Sequence, residues 1–332
     1  MTGPDRADPG PPTSFTVRGL ELAEAFYEQH GRPMIAEYFP EHQSRIAAGL
    51  VGEGSQCFGF DDELSRDHDW GPGFCLWLDV VDKAEIGEEL QERYDALPNG
   101  FRGFERAVEG PHAGKRTGVF EITDFYRRFI RYDHVPSSLA EWRSLPETYL
   151  ATATNGKVFA DPLGAFSGFR EGLLAFYPED VRLKKMAARC AAAGQAGQYN
   201  FGRCVAREES VAACCALGLF IEAAVSLVYL LNKRYRPFYK WMHRGMSDLP
   251  TLGGECQALL TRLCAEEGQT EALARGRDHQ EAIIEEISAL IIGELAWQGL
   301  TDSDSDFLLD HAHSLQARIE DPALRSVHVM VE

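Results

Sequence analysis

The sequence is short of positive charge, and this shortage limits the ligands that the protein attracts. It has 33 lysine and arginine residues against 51 aspartate and glutamate residues, which gives a formal net charge of −18 over 332 residues. A field of that sign repels nucleic acid. We therefore expect no nucleic-acid partner, and a polyanionic ligand would need local basic residues or metal ions.

The cysteines lack the spacing of a metal or redox site. Eight are scattered along the chain with no C-x-x-C pair, so a reducing cytoplasm is the expected compartment. Neither Cys214-Cys215 nor the histidines His311 and His313 have the partners of a complete zinc site. We expect the cysteines to pack between helices and the histidines to lie at the surface. Residues 1–16 lack the apolar core of a signal peptide and predict a disordered arm.

One apolar run has the length of a membrane span. It covers Val211 to Leu231, VAACCALGLFIEAAVSLVYLL, with Glu222 at its centre. A carboxylate there costs about 3 kcal/mol even on the lenient insertion scale. The run therefore predicts a buried core helix and no membrane partner.

Strand and helix signals alternate in the first half of the chain. Helical periodicity runs from Val17 to about Phe39 with interruptions at Gly31 and Pro33. Asp82 is a predicted cap of a helix that continues to about Leu97. Strands are predicted at Ile46 to Val51, Phe74 to Val81, Val119 to Thr123 and within NGKVFADPLGAF, with Thr123 or Asp124 capping the helix after the third.

Strand signals fade beyond about Tyr177, where the remaining segments have helical composition and no internal repeat. The sequence therefore predicts an α+β fold, with a mixed sheet and helices over 17–176 and an all-helical domain over 177–332.

The stretch GSQCFGFDDELSRDHDW, residues 54–70, carries the strongest sign of chemistry. Asp67 and Asp69 are two positions apart, so at the start of a strand both carboxylates would face one divalent cation. Glu121, on another predicted strand, would supply a third carboxylate. Gly54 permits close backbone approach, and Ser55 offers a hydroxyl and an amide to a phosphate.

The other acidic residues of this stretch, Asp61, Asp62 and Glu63, have no pattern that fixes their direction. We interpret them as connecting sequence, either a solvated loop or a helix cap.

These motifs together resemble the signature of the nucleotidyltransferase superfamily, which has the DNA polymerase beta-like fold. GEGS, RDHDW and VFEIT match its glycine-serine turn, acidic pair and later acidic strand residue. Longer strings, GEGSQCFGFDDELSRDHDWGPGF, ATNGKVFADPLGAF, GQYNFGR and RYRPFYKWMHR, resemble an uncharacterised bacterial branch of unknown function. That branch is related to the aminoglycoside and lincosamide nucleotidyltransferases, and the resemblance runs from about Gly19 to Pro250.

The resemblance implies an enzyme that moves a nucleoside monophosphate from a triphosphate, with ATP expected, to a hydroxyl of a small molecule. Asp67, Asp69 and Glu121 would hold Mg²⁺, and Gly54 and Ser55 would contact the triphosphate. The acceptor hydroxyl would attack the α-phosphorus in line and release pyrophosphate. The protein would act as a monomer or homodimer.

A further set of residues completes the prediction. The segment NFGRCVAREES places Arg203 and Arg207 four apart, on one face of a helix, where they suit phosphate oxygens. By the same resemblance Glu209 is the candidate base for the acceptor proton. Lys185 is a candidate cation for pyrophosphate. A salt-bridged helix surface is the alternative for the arginines and Glu209.

Two departures from the signature leave other functions open. His68 stands between the two aspartates, and the sequence WGPG follows at Trp70. They favour a catalytically silent nucleotide-sensing or protein-interaction module, while transfer of a nucleotide to a protein would use the same site. The His68-Asp69 dipeptide also occurs on a helix in metal phosphohydrolases, but the proline and glycines after it make a continuing helix unfavourable.

Overall fold

The structure is a computed structural model that describes residues 17–67, 70–106, 115–265 and 273–332, with the backbone alone at residues 66, 67 and 273–278. The chain divides into two compact units, and the fold is α+β. The first unit contains residues 17–120 and 156–163, and the second contains residues 121–155 and 164–332. The boundary predicted near residue 176 falls inside the second unit, because the helices between residues 121 and 155 cluster with those that follow.

The first unit holds the sheet. Its elements are α1 (Gly19–Phe26), a π-helical segment (Tyr27–Gly31), α2 (Arg32–Tyr38), β1 (Ala47–Leu50), α3 (Ser55–Phe58), a 3-10 turn (Leu64–Asp67), β2 (Cys75–Leu78), α4 (Val80–Asp95), β3 (Gly100–Phe101), β4 (Phe104–Glu105), β5 (Gly118–Glu121) and β6 (Lys157–Ala160).

Four strands form the main sheet in the order β5-β2-β1-β6, and the hairpin β3-β4 is separate. Strand β1 pairs antiparallel with β2, with Ala47 opposite Trp77, and antiparallel with β6 on its other edge. All residues of β1 and β2 are buried, as expected for short apolar runs. The strand predicted at 46–51 is confirmed with slightly shorter bounds, whereas the strand predicted at 74–81 is confirmed for 75–78 only, because Asp79 caps α4 and Val80 and Val81 begin that helix.

Helix starts differ from the prediction in two places. Asp79, not Asp82, caps α4, since its side chain accepts a hydrogen bond from the Asp82 amide at 2.8 Å. Asp82 is instead buried against Arg45, whose Nε lies 2.7 Å from its carboxylate. The interruption predicted at Gly31 and Pro33 is a π-helical segment, and Pro33 fits the first turn of α2, where a missing amide costs little.

The described secondary-structure elements of the second unit are all helices, apart from Glu121, which is the last residue of β5. Its helices are α5 (Ile122–Ile130), α6 (Leu139–Arg143), α7 (Glu147–Thr154), α8 (Ala165–Leu174), α9 (Glu179–Ala193), a π-helical segment (Gly194–Phe201), α10 (Gly202–Ala206), α11 (Ser210–Leu231), α12 (Tyr239–Met242), a 3-10 segment (Arg244–Asp248), α13 (Gly253–Cys264), α14 (Leu273–Trp297), α15 (Leu308–Ala317) and α16 (Pro322–Ser326).

Helix α11 contains the long apolar run. Among the described helices it is the one long and apolar enough to cross a membrane, and half of its most apolar window is buried inside the protein. Its last nine residues, 223–231, are all buried, whereas Val211 and Leu219 near its start are exposed. The prediction of a core helix therefore holds for the second half only.

Strand β6 approaches β1 so closely that Gly49 has no room for a side chain. A Cβ at Gly49 would lie 2.5 Å from the Lys157 carbonyl oxygen and 2.9 Å from the Val158 Cα.

We expect Gly49→Ala to lower the free energy of unfolding by about 1–3 kcal/mol, because the backbone of β6 must move. The control Gly100→Ala adds a Cβ at 3.7 Å from the Phe104 carbonyl oxygen, an ordinary van der Waals distance. This control should change the free energy of unfolding by less than about 0.5 kcal/mol. Equal urea midpoints for the two variants would contradict this.

Candidate functional site

A glycine turn follows the central strand of the first unit. Two residues beyond the end of β1, Gly52 has φ of 122°, and Gly54 has φ of 111° and ψ of 149°. Residues with a Cβ rarely adopt these angles, so the turn depends on glycine. Ser55 follows at once as the first residue of α3 and is half-buried. The sheet thus presents a backbone turn and a hydroxyl at one strand end, as the sequence predicts.

An arginine that the sequence did not predict lies beside this turn. Nη1 of Arg116 is 3.9 Å from the position that a Cβ on Gly54 would take. The Arg116 side chain is 30 % exposed, and its Nε is 3.9 Å from a Glu53 carboxylate oxygen. A guanidinium next to open glycine backbone is a suitable partner for phosphate oxygens. The only sequence signal was a lysine-arginine pair two residues before β5, which is common at surfaces.

The acidic pair departs from its expected backbone. Asp67 ends a 3-10 turn (Leu64–Asp67), and β2 begins only at Cys75, so the prediction that Asp67 begins a strand is wrong. The side chain of Asp67 and the whole of Asp69 lie outside the described residues, as does His68. Their role as metal ligands stays a prediction.

The residues on either side of this pair are fixed by carboxylates that were interpreted as connecting sequence. Asp61 is buried, and its Oδ2 accepts hydrogen bonds from the Gly19 amide at 2.8 Å and from Nε1 of Trp70 at 3.1 Å. Asp62 Oδ1 accepts from the amide and the hydroxyl of Ser65, which closes the 3-10 turn. The solvated interpretation is therefore wrong for Asp61, and the cap interpretation fits Asp62.

Glu121, the predicted third carboxylate, is the last residue of β5 and the cap of α5. Its Oε1 accepts a hydrogen bond from the Thr123 amide, and its Oε2 accepts from the Thr123 hydroxyl and the Asp124 amide. Both carboxylate oxygens therefore satisfy donors at the start of the helix. Thr123 and Asp124, the residues predicted to cap, are donors instead. A metal role for Glu121 stays a prediction.

The other predicted site residues belong to the second unit. Arg203 is exposed and lies over the Tyr199 ring at 4.7 Å, whereas Lys185 is buried. Helix α10 ends at Ala206, so Arg203 lies within it and Arg207 is its C-cap residue. Glu209 is exposed at the N-cap position of α11 without a side-chain capping bond. Their roles in phosphate binding and proton transfer stay predictions.

Two predictions about surface placement are wrong. Cys214 and Cys215 are exposed on the first half of α11. His311 is buried: its Nδ1 is 2.8 Å from the Thr301 hydroxyl and its Nε2 is 2.8 Å from the Ser305 carbonyl oxygen. Two hydrogen bonds thus satisfy the ring inside the helical unit.

A second group of metal-binding residue types occurs in the described part of the first unit. Ligand atoms of His42, Asp82 and Glu85 lie within 4.8 Å of one another. The Arg45 guanidinium already neutralises Asp82, and His42 Nε2 is 3.5 Å from Glu85. A cation would have to displace Arg45, so this group has the character of a surface ion-pair network.

Comparisons with known proteins give limited matches. Residues 142–242 match the family described as domain of unknown function (DUF4037). The chain is similar to a solved structure of a nucleotidyltransferase-like protein from Exiguobacterium sibiricum, with 13% identity, a TM-score of 0.35, and coverage of 84% of this chain and 81% of that chain. No curated protein matches. At this identity and TM-score the likeness carries no argument for activity.

We expect Glu121→Ala to lower the free energy of unfolding of the second unit by about 0.5–2 kcal/mol, because three donors at the start of α5 lose their acceptor. The control Glu171→Ala removes the same charge from an exposed position in α8 and should change it by less than about 0.5 kcal/mol. Urea denaturation followed by circular dichroism measures both. A Glu121→Ala variant as stable as the control would contradict the capping role.

Proposed function

We propose that the protein is a Mg²⁺-dependent nucleotidyltransferase that moves AMP from ATP to a hydroxyl of a small molecule. The observation that carries the proposal is the turn at Gly54 and Ser55 with the Arg116 guanidinium beside it. It comes directly after a buried central strand and precedes the acidic pair Asp67 and Asp69 in the order that the superfamily signature has.

The turn supports triphosphate binding through its shape and charge. Gly54 leaves the backbone open on the side where Arg116 lies, 3.9 Å from the missing Cβ. The Ser55 amide and hydroxyl follow, and both donate to oxyanions. Because the chain has a net charge of −18, a polyanionic ligand needs local positive charge, and Arg116 supplies it at this turn.

The chemistry follows from these parts. The acceptor oxygen forms a bond to the α-phosphorus of ATP while the bond to the bridging oxygen of the β-phosphate breaks. The hydroxyl proton passes to a base, and pyrophosphate leaves with the electron pair of the broken bond. Arg116 and Ser55 would hold the phosphates in line with the acceptor, which replaces a bimolecular encounter by a bound geometry.

Carboxylate oxygens are the ligands that Mg²⁺ prefers, so the donor types of Asp67 and Asp69 fit this ion. When bound, Mg²⁺ would neutralise phosphate charge and so lower the barrier to attack. Asp61 and Asp62 support the arrangement because they anchor the residues before and after the pair.

A nucleotide-binding module without transfer is the second candidate, and Glu121 favours it. Both of its oxygens already serve the start of α5, so a metal would compete with three hydrogen bonds. Binding of ATP without pyrophosphate release, over a panel of small-molecule and protein acceptors, would identify this alternative. An added nucleotide mass on a protein would instead identify protein modification.

We expect Asp69→Asn to reduce nucleotide transfer at least tenfold, or about 1.4 kcal/mol of transition-state stabilisation, because a metal-binding charge is lost. Radiolabelled ATP, Mg²⁺ and a panel of metabolites and antibiotics provide the assay. The control Glu63→Gln removes one exposed negative charge from the same stretch and should keep full activity. Full activity of Asp69→Asn would show that Asp69 is not part of the site. If calorimetry detects no binding of ATP in the presence of Mg²⁺, the proposed function is refuted.

We expect Arg116→Gln to raise the Kd for ATP with Mg²⁺ about tenfold or more, because a charge-assisted hydrogen bond to phosphate contributes about 1.5–3 kcal/mol. Its matched control is Arg32→Gln, which removes an arginine that is 61 % exposed and pairs with Glu28 within the same unit. Calorimetric titration compares the two. Equal Kd values for the two variants would show that Arg116 does not bind the nucleotide.

A further inference from the structure

The helical unit contains a buried cluster of charges that nucleotide transfer leaves unexplained. Lys185 and Arg189 on α9 face Glu147 at the start of α7 and Arg236 after α11, and the side chains of Lys185, Glu147 and Arg236 are at most 7 % exposed. Charges so deeply buried are costly unless each is paired. The ion pairs within the cluster therefore indicate the charge of the ligand that it can bind.

Glu147 and Ser226 form the polar floor of the cluster. Ser226 donates its hydroxyl to Glu147 Oε2 at 2.7 Å and accepts from Arg189 Nε at 3.1 Å. Burial raises the pKa of Glu147, with Arg189 and Arg236 opposing that shift. Glu147 Oε1 and Arg236 Nε are buried without a hydrogen-bond partner among the described residues. Of these two atoms, Arg236 Nε is a donor with unused capacity for a further acceptor such as an oxyanion, whereas Glu147 Oε1 is itself an acceptor.

The Glu332 carboxylate pairs with both Lys185 and Arg189. Arg189 Nη2 is 2.5 Å from Glu332 Oε1, and Lys185 Nζ is 3.3 Å from Glu332 Oε2. Each oxygen of the carboxylate thus meets its own cation, an arrangement that suits an oxyanion of carboxylate or phosphate type. Lys185 also lies over the Tyr177 ring at 5.0 Å, which fixes its position.

The segment that delivers Glu332 is weakly held. Lys184 Nζ donates to the carbonyl oxygens of Val327 and His328, which anchors the chain there. After this anchor Met330 and Val331 are 40% and 48% exposed, so they bury little apolar surface. Two ion pairs hold Glu332 at the end of this segment, and a segment that buries little apolar surface opens at low cost.

We propose that Lys185 and Arg189 form a binding site for a small oxyanion and that Glu332 occupies this site as a displaceable internal ligand. Arg236 also pairs with Glu222, at 3.1 Å. Among the described residues, removal of the Glu332 carboxylate leaves Lys185, Arg189 and Arg236 with the carboxylates of Glu147 and Glu222, which is one positive charge in excess. The five side chains Glu147, Lys185, Arg189, Ser226 and Arg236 all lie within residues 142–242, the segment that matches the DUF4037 family, and Glu332 does not. Lys185 is also the candidate cation for pyrophosphate, but the probes of the test below contain no nucleotide, so its outcome does not depend on nucleotide transfer.

The test compares the full chain with Glu332→Gln and with a chain that lacks residues 329–332 but keeps the anchor at Val327 and His328. Inorganic phosphate and succinate are the probes, and calorimetry and thermal unfolding are the measurements. We expect both variants to bind one probe with a Kd of about 1 mM or below, at least tenfold tighter than the full chain, and to rise in Tm with its concentration.

Which probe binds identifies the ligand as a phosphate or a carboxylate. In the Glu332→Gln background, Lys185→Met should abolish binding, whereas Lys240→Met, which removes an exposed lysine of the same unit, should not. If neither probe binds or stabilises Glu332→Gln more than the full chain, whether or not the shortened chain folds, the proposal is overturned and Glu332 is a permanent structural partner.

Discussion

The first unit depends on the pairing of β1 along both of its edges. With β2 on one side and β6 on the other, every residue of β1 is buried, and Gly49 is needed for the approach of β6. A strand held on both edges cannot shift its register without exposing its apolar residues. The turn that begins beyond Leu50 therefore starts at a fixed point of the sheet.

Buried carboxylates organise both units, and each is stabilised by different partners. Oδ2 of Asp61 accepts from neutral donors, a backbone amide and an indole, and so fixes the segment near Trp70, while Oδ1 lies 4.0 Å from Nη1 of Arg18. Glu147 receives a serine hydroxyl and two arginines at 3.9 Å, a looser arrangement that leaves one oxygen without a hydrogen bond. In both carboxylates one oxygen lacks a hydrogen bond among the described residues, so the two differ in the charge of their partners, with one distant arginine near Asp61 and two arginines near Glu147.

In a protein with a large negative net charge, the positions of the basic residues indicate where anions can bind. Three of the 33 basic residues lie at the two ligand sites that we propose: Arg116 at the glycine turn, and Lys185 with Arg189 in the helical unit. A negative surface field makes such cations more selective, because unspecific binding of polyanions is suppressed elsewhere.

Much of the local structure could be predicted from the sequence, because strand runs and glycine positions depend on neighbours in the chain. The α+β class, the strands at 46–51 and 74–81, the helical second half and the turn at Gly54 follow from apolar runs and backbone restrictions. Caps were harder: Asp79 and Glu121 cap helices where Asp82, Thr123 or Asp124 were expected, since several acceptors lie within one turn and only the backbone angles select one.

The sequence by itself determined which elements form and that a glycine-serine turn precedes an acidic pair. Only the tertiary structure decided that Asp61 is buried, that Arg116 lies beside Gly54 and that Glu332 reaches Lys185 and Arg189 from 147 and 143 positions away. The reason is physical: burial and ion pairing depend on which segments meet in space. The periodicity of a chain reports the face that a residue occupies but not the partner that it meets there.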